Sequence, residues 1–321
     1  MSVSPPKSAS QGVQFVEISP EVAGQRIDNF LLTRLKGAPR SLIYRILRRG
    51  EVRVNKGRAK PDYRLKSGDT LRIPPVRLAP RTAPVPTNRV LQQLQAAIIF
   101  EDGRILVLNK PSGLAVHGGS GVNYGVIEGL RALRPDAPYL ELVHRLDRDT
   151  SGCLLIAKKR SALRRLHQQL RDNQVDKRYL ALVKGKWHGG TRTVDAPLRK
   201  NVVSSGERMV RVADDGKAAR SVIRPLAAGS GVTLAEIRLE TGRTHQARVH
   251  CAAIGHPIAA DEKYGDTAFN REMKAHGVSR LFLHARSLKF SLSDEEAATR
   301  ISAPLPDELQ QALKSLNCHE K

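Results

Sequence analysis

A proline-rich segment divides the sequence into two unequal parts. Residues 74–86 read PPVRLAPRTAPVP, with five prolines and no apolar periodicity. Proline fixes φ and lacks a backbone N–H, so this segment is predicted to be a stiff extended linker rather than part of a helix or sheet. We therefore predict a flexible N-terminus over residues 1–20, a small domain over 21–74, a linker over 75–90 and a larger domain over 91–321.

The chain is strongly basic. Its 321 residues hold 54 Lys and Arg against 31 Asp and Glu, a formal net charge of +23. Residues 1–90 alone hold 18 basic and 6 acidic residues, so half of the excess lies in the first quarter of the chain. Such a charge opposes compaction unless an anion neutralises it, and nucleic acid is the usual anion at this level. An acidic protein partner is the less favoured alternative.

The sequence offers neither a membrane span nor a cysteine framework. No stretch approaches the roughly 18 apolar residues of a membrane span, and residues 1–14 lack the apolar centre of a signal peptide. We therefore expect a cytoplasmic protein without a membrane partner. Cys153, Cys251 and Cys318 lie far apart and form no C-x-x-C pair, which argues against a disulfide framework or a cysteine-rich zinc site. We expect reduced, mostly buried thiols and no bound metal.

The first domain is predicted to contain two short helices and a small sheet. Apolar residues recur at helical spacing over residues 27–35 and again over 42–47, and Ser41 is a suitable N-cap for the second helix. Residues 52–54 and 71–73 alternate as strands do. The basic face of the second helix, which is either solvated or RNA-binding, consists of Arg45, Arg48 and Arg49.

The ordered features of residues 22–74 resemble the S4 RNA-binding domain. They are an R-x-D-x-x-L opening from Arg26 to Leu31, a G-x-V-x-V-N strand that begins at Gly50, and a closing Gly-Asp turn at Asp69. This resemblance implies an RNA-binding domain, and it favours phosphate contacts for the basic helix face over mere solvation.

The second part of the chain alternates strand-like runs with helical segments. Residues 105–108, 154–157, 180–183 and 235–239 are strand-like, whereas residues 161–170 carry leucines in helical register. These strands and helices do not alternate in a regular βαβ order. We therefore predict an α+β fold with a large mixed, mainly antiparallel sheet, joined to the small α/β domain.

The densest polar stretch is HRLDRDTSG, residues 144–152, between two apolar segments. Such stretches form functional loops or hydrogen-bonded turns. Three interpretations follow from the residues alone. The stretch is a turn whose aspartates neutralise arginines, a D-x-D metal clamp of Asp147 and Asp149 for a glycosyl donor, or a loop with one carboxylate nucleophile or base that arginine keeps ionised. Arg145 and Arg148 beside the carboxylates argue against a dication.

This stretch resembles the H-R-L-D-x-x-T-S-G motif of the RluA family of RNA pseudouridine synthases. Further family segments follow in order: LVLNKPSGLAVH at 106–117, KRYLALVKG at 177–185, TGRTHQARVH at 241–250, and GHPI, Asp and YG within 255–265. With the S4-like part, the resemblance covers residues 20–305. It implies an isomerase that converts uridine to pseudouridine at several positions of 23S ribosomal RNA. Such an isomerisation has no redox change and needs no cofactor.

The resemblance assigns roles to three residues. Asp147 falls on the catalytic aspartate of the family, which attacks the sugar or removes a proton from it, and the sequence leaves that choice open. Arg248 is the partner that keeps Asp147 charged. Tyr179 is the aromatic residue that packs on the target base and can assist proton movement. Taken alone, Arg248 could be a surface phosphate contact and Tyr179 a core strand aromatic.

Contacts to the RNA are predicted for further basic residues. A base inside folded RNA must be extruded, at a cost of a few kcal/mol of unstacking. Arg145 resembles the family arginine that fills the space left by the base, whereas Arg243 and Lys110 are predicted to meet phosphates. Ala247 stands where the family usually has Ile or Leu, and we expect it to loosen the packing around Arg248.

Two other classes of protein compete with this interpretation. A non-catalytic ribosome-binding or assembly factor would not need Asp147, Tyr179 and Arg248 together. A methyltransferase would need an S-adenosylmethionine loop and often a catalytic cysteine, whereas Cys153 lies in an apolar strand. We expect a monomer that acts on 23S ribosomal RNA, either free or in a precursor particle.

Overall fold

The chain is divided into two compact units, Met1–Ala83 and Pro84–Lys321, at the proline-rich segment. Residues 1–11 of the predicted flexible N-terminus and residues 77–85 of the predicted linker lie outside the described residues. The computed structural model describes residues 12–35, 37–76, 86–119, 122–202 and 208–318.

Within its described residues, the first unit is a four-stranded antiparallel sheet with two helices. Its elements are β1 (Gln14–Glu17), α1 (Ile27–Arg34), α2 (Arg40–Arg48), β2 (Arg53–Val54), β3 (Gly57–Arg58) and β4 (Thr70–Ile73). The strand order is β1-β4-β2-β3. The helices bury their apolar stripes against the sheet, in a core that includes Ile27, Leu31, Ile43 and Leu47.

Two boundaries of this unit differ from the sequence prediction. The interval predicted to be a flexible N-terminus contains β1, because Val16 packs on the core while the backbone pairs with β4. Helix α2 begins at Arg40 rather than after Ser41, because Pro39 takes the N-cap position with an extended backbone. The side chains of the basic face, Arg45, Arg48 and Arg49, are exposed, as the helical spacing predicts.

The second unit is built on a ten-stranded sheet. Its described strands are β5 (Ile98–Glu101), β6 (Ile105–Lys110), β7 (Glu141–Leu142), β8 (Ser151–Ala157), β9 (Asp176–Lys184), β10 (Arg192–Asp195), β13 (Arg220–Ala228), β14 (Val232–Leu239), β15 (Leu283–Phe290) and β16 (Thr299–Ser302). The order is β10-β13-β14-β9-β15-β8-β6-β5, with β7 beside β8 and β16 beside β15. These strands pair in antiparallel fashion except for β8 and β15, which run parallel, so the predicted large, mainly antiparallel sheet of an α+β fold is confirmed.

Helices and a separate two-stranded ribbon complete this unit. The ribbon pairs β11 (Leu198–Val202) with β12 (Arg208–Val212). The helices are α3 (Asn88–Ala96), α4 (Val126–Leu133), α5 (Arg160–Arg171), α6 (Gln246–Ala253), α7 (Thr267–Ala275) and α8 (Asp307–Ser315). Within the described ranges, no helix combines the length and apolar character needed to cross a membrane. Helix α3 starts inside the interval predicted as linker, because Leu94 is fully buried against the rest of the unit.

The large sheet is covered on both faces. Tyr179, Ala181 and Val183 of β9 belong to one apolar cluster, whereas the alternating Leu180 and Leu182 belong to another cluster that includes residues of α7 and α8. A strand that is covered on both faces reads as a continuous apolar run. All seven residues of β8 are accordingly buried.

The parallel pairing between β8 and β15 depends on a glycine. Gly152 adopts a φ of +109°, and a Cβ at this position would lie 2.3 Å from the backbone oxygen of Ala285. No other residue type can bring the two backbones this close. The glycine therefore fixes where the polar 144–152 stretch joins the central sheet.

Candidate active site

Asp147 lies in the loop between β7 and β8, and the segment after β6 holds this loop in place. The Gly113 N–H and the Lys110 ammonium both donate to the carbonyl of Arg148, each at 2.9 Å. The Ser112 hydroxyl donates to the carbonyl of Asp149 at 2.7 Å. The backbone around Asp147 is therefore fixed by hydrogen bonds from a segment almost 40 residues earlier in the chain.

The predicted phosphate contact of Lys110 is wrong. Its side chain is fully buried, and its ammonium donates to the carbonyls of Pro111, Leu114 and Arg148 at 2.8, 2.9 and 2.9 Å. Burial lowers the pKa of Lys110 to about 7, although the charges of Asp149 and Asp147 raise it. All three donor positions of the ammonium are occupied. Lys110 shapes the loop instead of meeting the RNA backbone.

The Asp147 carboxylate faces an arginine and a histidine, both beyond hydrogen-bond distance. Arg248 Nη1 lies 3.7 Å from Oδ2, and His245 Nε2 lies 3.8 Å from Oδ1. The side chain is 26% exposed and lines two cavities of about 1870 and 1030 Å³. A carboxylate that is attracted by cations but not saturated by hydrogen bonds keeps lone pairs free for a substrate. Asp147 therefore has the setting of a reactive group.

Arg248 is held by a different carboxylate. It lies in the first turn of α6, and its Nε and Nη2 donate to the two oxygens of Asp261, both at 2.7 Å. Burial lowers the pKa of Arg248, but the hydrogen bond and charge of Asp261 and the charge of Asp147 raise it above its ordinary value. This bidentate pair fixes the planar guanidinium, so the looser packing expected beside Ala247 does not release Arg248. Arg248 is therefore no surface phosphate contact.

Tyr179 lies on β9 and lines the smaller cavity together with Asp147. It is 8% exposed, and burial raises its pKa, as does the charge of Asp147. The hydroxyl is therefore protonated at neutral pH. Tyr179 belongs to the apolar core and to the wall of the cavity at once.

The smaller cavity is strongly basic, and we call it the basic cavity. Asp147 is the single acid among the described residues that line it. The predicted RNA contacts Arg145 and Arg243 both line it and are exposed. The other arginines and lysines in its lining are Arg148, Arg171, Lys177, Lys200 and Arg248. A cavity with this charge favours a polyanion such as an RNA backbone.

The D-x-D metal clamp finds no support. Asp149 pairs with the neighbouring Arg148 at 3.1 Å, whereas Asp147 faces Arg248. In the described part of the chain, no group of three or more His, Cys, Asp or Glu is arranged to hold a metal ion. Cys153, Cys251 and Cys318 are all buried free thiols.

Sequence reasoning missed four residues of this site. Asp261, Tyr264 and His245 lie within the quoted motifs, but spacing alone does not reveal that they meet around Arg248 and Asp147. Lys177 is 7% exposed and lines the basic cavity, and burial lowers its pKa. The signal for Lys177 was its position two residues before Tyr179, because side chains at i and i+2 of a strand share one face.

Comparison with known proteins gives the family. Residues 104–253 match the family described as RNA pseudouridylate synthase, and residues 25–71 match the S4 domain. Ribosomal large subunit pseudouridine synthase C of Pasteurella multocida (strain Pm70) is 56% identical over 313 residues, which cover 97% of this chain and 96% of that protein. The chain belongs to the RNA pseudouridine synthase family.

A second relative and one solved structure agree with this assignment. Ribosomal large subunit pseudouridine synthase C of Escherichia coli (strain K12) is 54% identical over 314 residues, 97% of this chain and 98% of that protein. The structure of human RNA pseudouridylate synthase domain containing 4 superposes with a TM-score of 0.60 at 24% identity, over 72% of this chain and 97% of that one. At that identity the structure speaks for the fold alone. The resemblance predicted from the sequence is confirmed, and so is the enzyme class, an RNA pseudouridine synthase.

Proposed function

We propose that this pseudouridine synthase modifies several uridines of 23S ribosomal RNA, with Asp147 as its catalytic carboxylate. One observation carries the catalytic assignment. Among the described residues Asp147 is the single acid that lines the basic cavity, it stands 3.7 Å from a buried arginine, and the hydrogen bonds of the described residues do not saturate its oxygens. The named activity of the two relatives supports the choice of ribosomal RNA.

The reaction requires one carboxylate and no added reagent. The bond between C1′ and N1 of uridine breaks, the uracil turns, and a bond forms between C1′ and C5, while the proton on C5 is exchanged for one on N1. Asp147 either attacks C1′ or removes a proton from the sugar, and both roles require the ionised carboxylate. Arg248 supplies the positive charge that favours this state.

The walls of the basic cavity suit an extruded nucleotide. Tyr179 offers a flat ring and a protonated hydroxyl beside Asp147, which suits stacking against uracil. Arg145, exposed at the cavity, is placed to fill the gap that the base leaves in the RNA. Arg243 is exposed, Lys177 is buried, and both line the basic cavity, so we assign them contacts to phosphate or carbonyl oxygens of the RNA.

The activity is tested on transcripts that carry no modification. The purified full-length chain is incubated with 23S ribosomal RNA, and with 16S ribosomal RNA as the matched control, and pseudouridines are mapped at nucleotide resolution. We expect stoichiometric conversion at several discrete positions of 23S and none in 16S. No conversion in 23S, conversion at a single position, or equal conversion in both RNAs would each contradict the proposal.

The first unit is proposed to add phosphate contacts that are indifferent to sequence. Arg45, Arg48 and Arg49 are exposed on or beside α2, so an RNA backbone can reach them. Replacing all three by Gln should lower the slope of log affinity against log salt by about 2 to 3, because three fewer counterions are released. Turnover at saturating enzyme should stay within about twofold of wild type. An unchanged salt slope would remove these arginines from the RNA interface.

A further inference from the structure

His245 has an unusual backbone conformation immediately before α6. Its φ of +54° and ψ of 20° lie in the left-handed region, which non-glycine residues occupy rarely. Such a conformation persists where the surroundings over-determine it, and it concentrates at functional sites. It places the imidazole between Tyr264 and Asp147.

The two ring nitrogens of His245 face different groups. Nδ1 lies 2.8 Å from the hydroxyl oxygen of Tyr264, and the two rings meet edge to face with centroids 5.5 Å apart. Nε2 lies 3.8 Å from Oδ1 of Asp147. The Tyr264 ring also lies under the Arg248 guanidinium at 5.1 Å. One tyrosine therefore contacts both Arg248 and His245, the two side chains that face Asp147.

The direction of these hydrogen bonds follows from the backbone of β12. The N–H of Val210 donates to the Tyr264 hydroxyl oxygen at 3.0 Å, so the hydroxyl proton is available to His245 Nδ1. His245 then carries its proton on Nε2, which faces the carboxylate. The opposite tautomer would direct the Nε2 lone pair at Asp147, and two electron-rich atoms would repel each other.

We propose that Val210, Tyr264 and His245 form a hydrogen-bonded relay that orients Asp147, with His245 as the positioning residue that donates from Nε2. The inference rests on the proposed catalytic role of Asp147. The relay fixes the tautomer and the ring plane of His245 through its far nitrogen, as partners of functional histidines commonly do. The distance of 3.8 Å is that of the free enzyme, and such contacts often tighten when substrate binds.

Burial is the main reason that His245 stays neutral in the relay. Burial lowers its pKa, as do the nearby Arg248 and Lys263, whereas the charges of Asp147 and Asp261 raise it. A neutral imidazole donates one hydrogen bond without neutralising the carboxylate that it orients. Protonation at low pH would instead make an ion pair with Asp147 and compete with its chemistry.

NMR of the ¹⁵N-labelled histidines of the full-length protein measures the tautomer and the pKa of His245. The variant His245→Gln assigns the signal. We expect the tautomer with the proton on Nε2. In Tyr264→Phe the pKa of His245 should rise, because the neutral ring loses its donor to Nδ1. In Asp147→Asn it should fall, because a negative charge that raises it is gone. The proton on Nδ1, or a pKa that neither substitution moves, would overturn the relay.

Kinetics give the second arm of the test. Tyr264→Phe keeps the ring under Arg248 and removes only the hydroxyl, and it should lower kcat about tenfold with KM unchanged, a loss typical of a partner that orients a functional side chain. The acid limb of its kcat profile should move to higher pH. Tyr139→Phe removes a hydroxyl from the same unit away from both cavities and should change neither quantity.

A conservative variant separates positioning from packing. His245→Gln retains an N–H donor near the place of Nε2, so it should keep more turnover than His245→Leu, with the two variants equally stable to heat. Equal turnover in both would overturn the positioning role. If the wild-type chain forms no pseudouridine, the proposed function fails, whereas the NMR result still decides whether the relay exists.

Discussion

Arg248 lies between two carboxylates and interacts with them in different ways. Asp261 is 1% exposed and accepts two hydrogen bonds of 2.7 Å from Arg248, together with the backbone N–H groups of Lys263 and Tyr264 at 2.9 and 3.0 Å. Asp147 is 26% exposed, and the nearest nitrogen atoms of Arg248 and His245 stand 3.7 and 3.8 Å from its oxygens. The two groups share one cation but differ in how many of their lone pairs are used.

This difference separates a structural role from a chemical one. A buried carboxylate whose lone pairs are all satisfied is held ionised and immobile, and it positions its partner. A partly exposed carboxylate that is attracted by a cation but accepts few hydrogen bonds can accept a hydrogen bond from substrate without first losing one from the protein. The contrast predicts that equal substitutions at the two positions have unequal effects on turnover and stability.

Asp147→Asn is expected to have the largest effect on turnover. The amide keeps the shape of the side chain but loses its charge, so pseudouridine formation should fall by more than about a thousandfold, as for loss of a nucleophile. The melting temperature should change little, because among the described residues no hydrogen bond to the carboxylate is lost. Single-turnover assays and thermal unfolding measure the two quantities. Turnover above a thousandth of wild type would remove Asp147 as the catalytic group.

Arg248→Met should damage both functions of the arginine. Turnover should fall about 100-fold or more, as when a charged group that supports the reaction is removed, and stability should drop by about 3–5 kcal/mol because Asp261 is left buried and unpaired. Arg248→Lys restores the charge without the planar fork and should recover part of each loss. A methionine variant with normal turnover would show that Asp147 does not depend on this cation.

Asp261→Asn should reverse the pattern of Asp147→Asn. Breaking the buried pair should cost about 3–5 kcal/mol of stability, whereas turnover should fall only about tenfold, because Arg248 remains but is less firmly placed. The pKa of Asp261 is lowered in the fold because Arg248 and the backbone donors outweigh burial, so its contribution is present above the unfolded pKa of about 3.9 and disappears as pH falls further.

Denaturant unfolding of Asp261→Asn and wild type from pH 6 to pH 2 checks this expectation. The stability difference between the two proteins should shrink as the pH falls through the folded pKa of Asp261. A constant difference over that range would mean that the carboxylate contributes no proton-linked stability.

Lys110→Met should have the smallest effect, because it acts on the loop of Asp147 and not on the carboxylate. Turnover should fall by less than about tenfold. The pKa of Lys110 is about 7 in the fold and about 10.4 in an unfolded chain, so the unfolded chain binds more protons between these values and the stability of wild type rises with pH there. Unfolding measured from pH 6.5 to pH 10 should lack this rise in the variant.

Much of the fold was predictable from local pattern. The prolines of residues 74–86 marked the division of the chain, and continuous apolar runs such as 154–157 marked central strands that are buried on both faces. β1 and the start of α3 were predicted wrongly from the sequence, because the pairing of β1 with β4 and the burial of Leu94 depend on residues far away in the chain. Short elements at domain edges take their structure from tertiary contacts, which local propensity does not encode.

The candidate site was predictable only as a set of separate motifs. Asp147 and Arg248 could be named from motifs, but the pairing of Arg248 with Asp261 needed the fold, since the motif suggested Asp147 as its partner. Lys110 was misjudged because an exposed lysine and one satisfied by three carbonyls look alike in sequence. His245 lay within a quoted motif, but no pattern marked it as a site residue, since a left-handed backbone at a histidine has no reliable sequence signal.

The parallel pairing of β8 with β15 has a consequence for the order of folding. His284 and Ala285 pair with Ser151 and Gly152, partners that lie more than 130 residues apart, immediately after the loop that carries Asp147. Contacts between residues this distant form late, because closing so long a loop costs entropy before any pairing repays it. Recovery of catalysis during refolding should therefore coincide with the slowest phase. The rate at which turnover returns then measures the rate at which the central sheet closes.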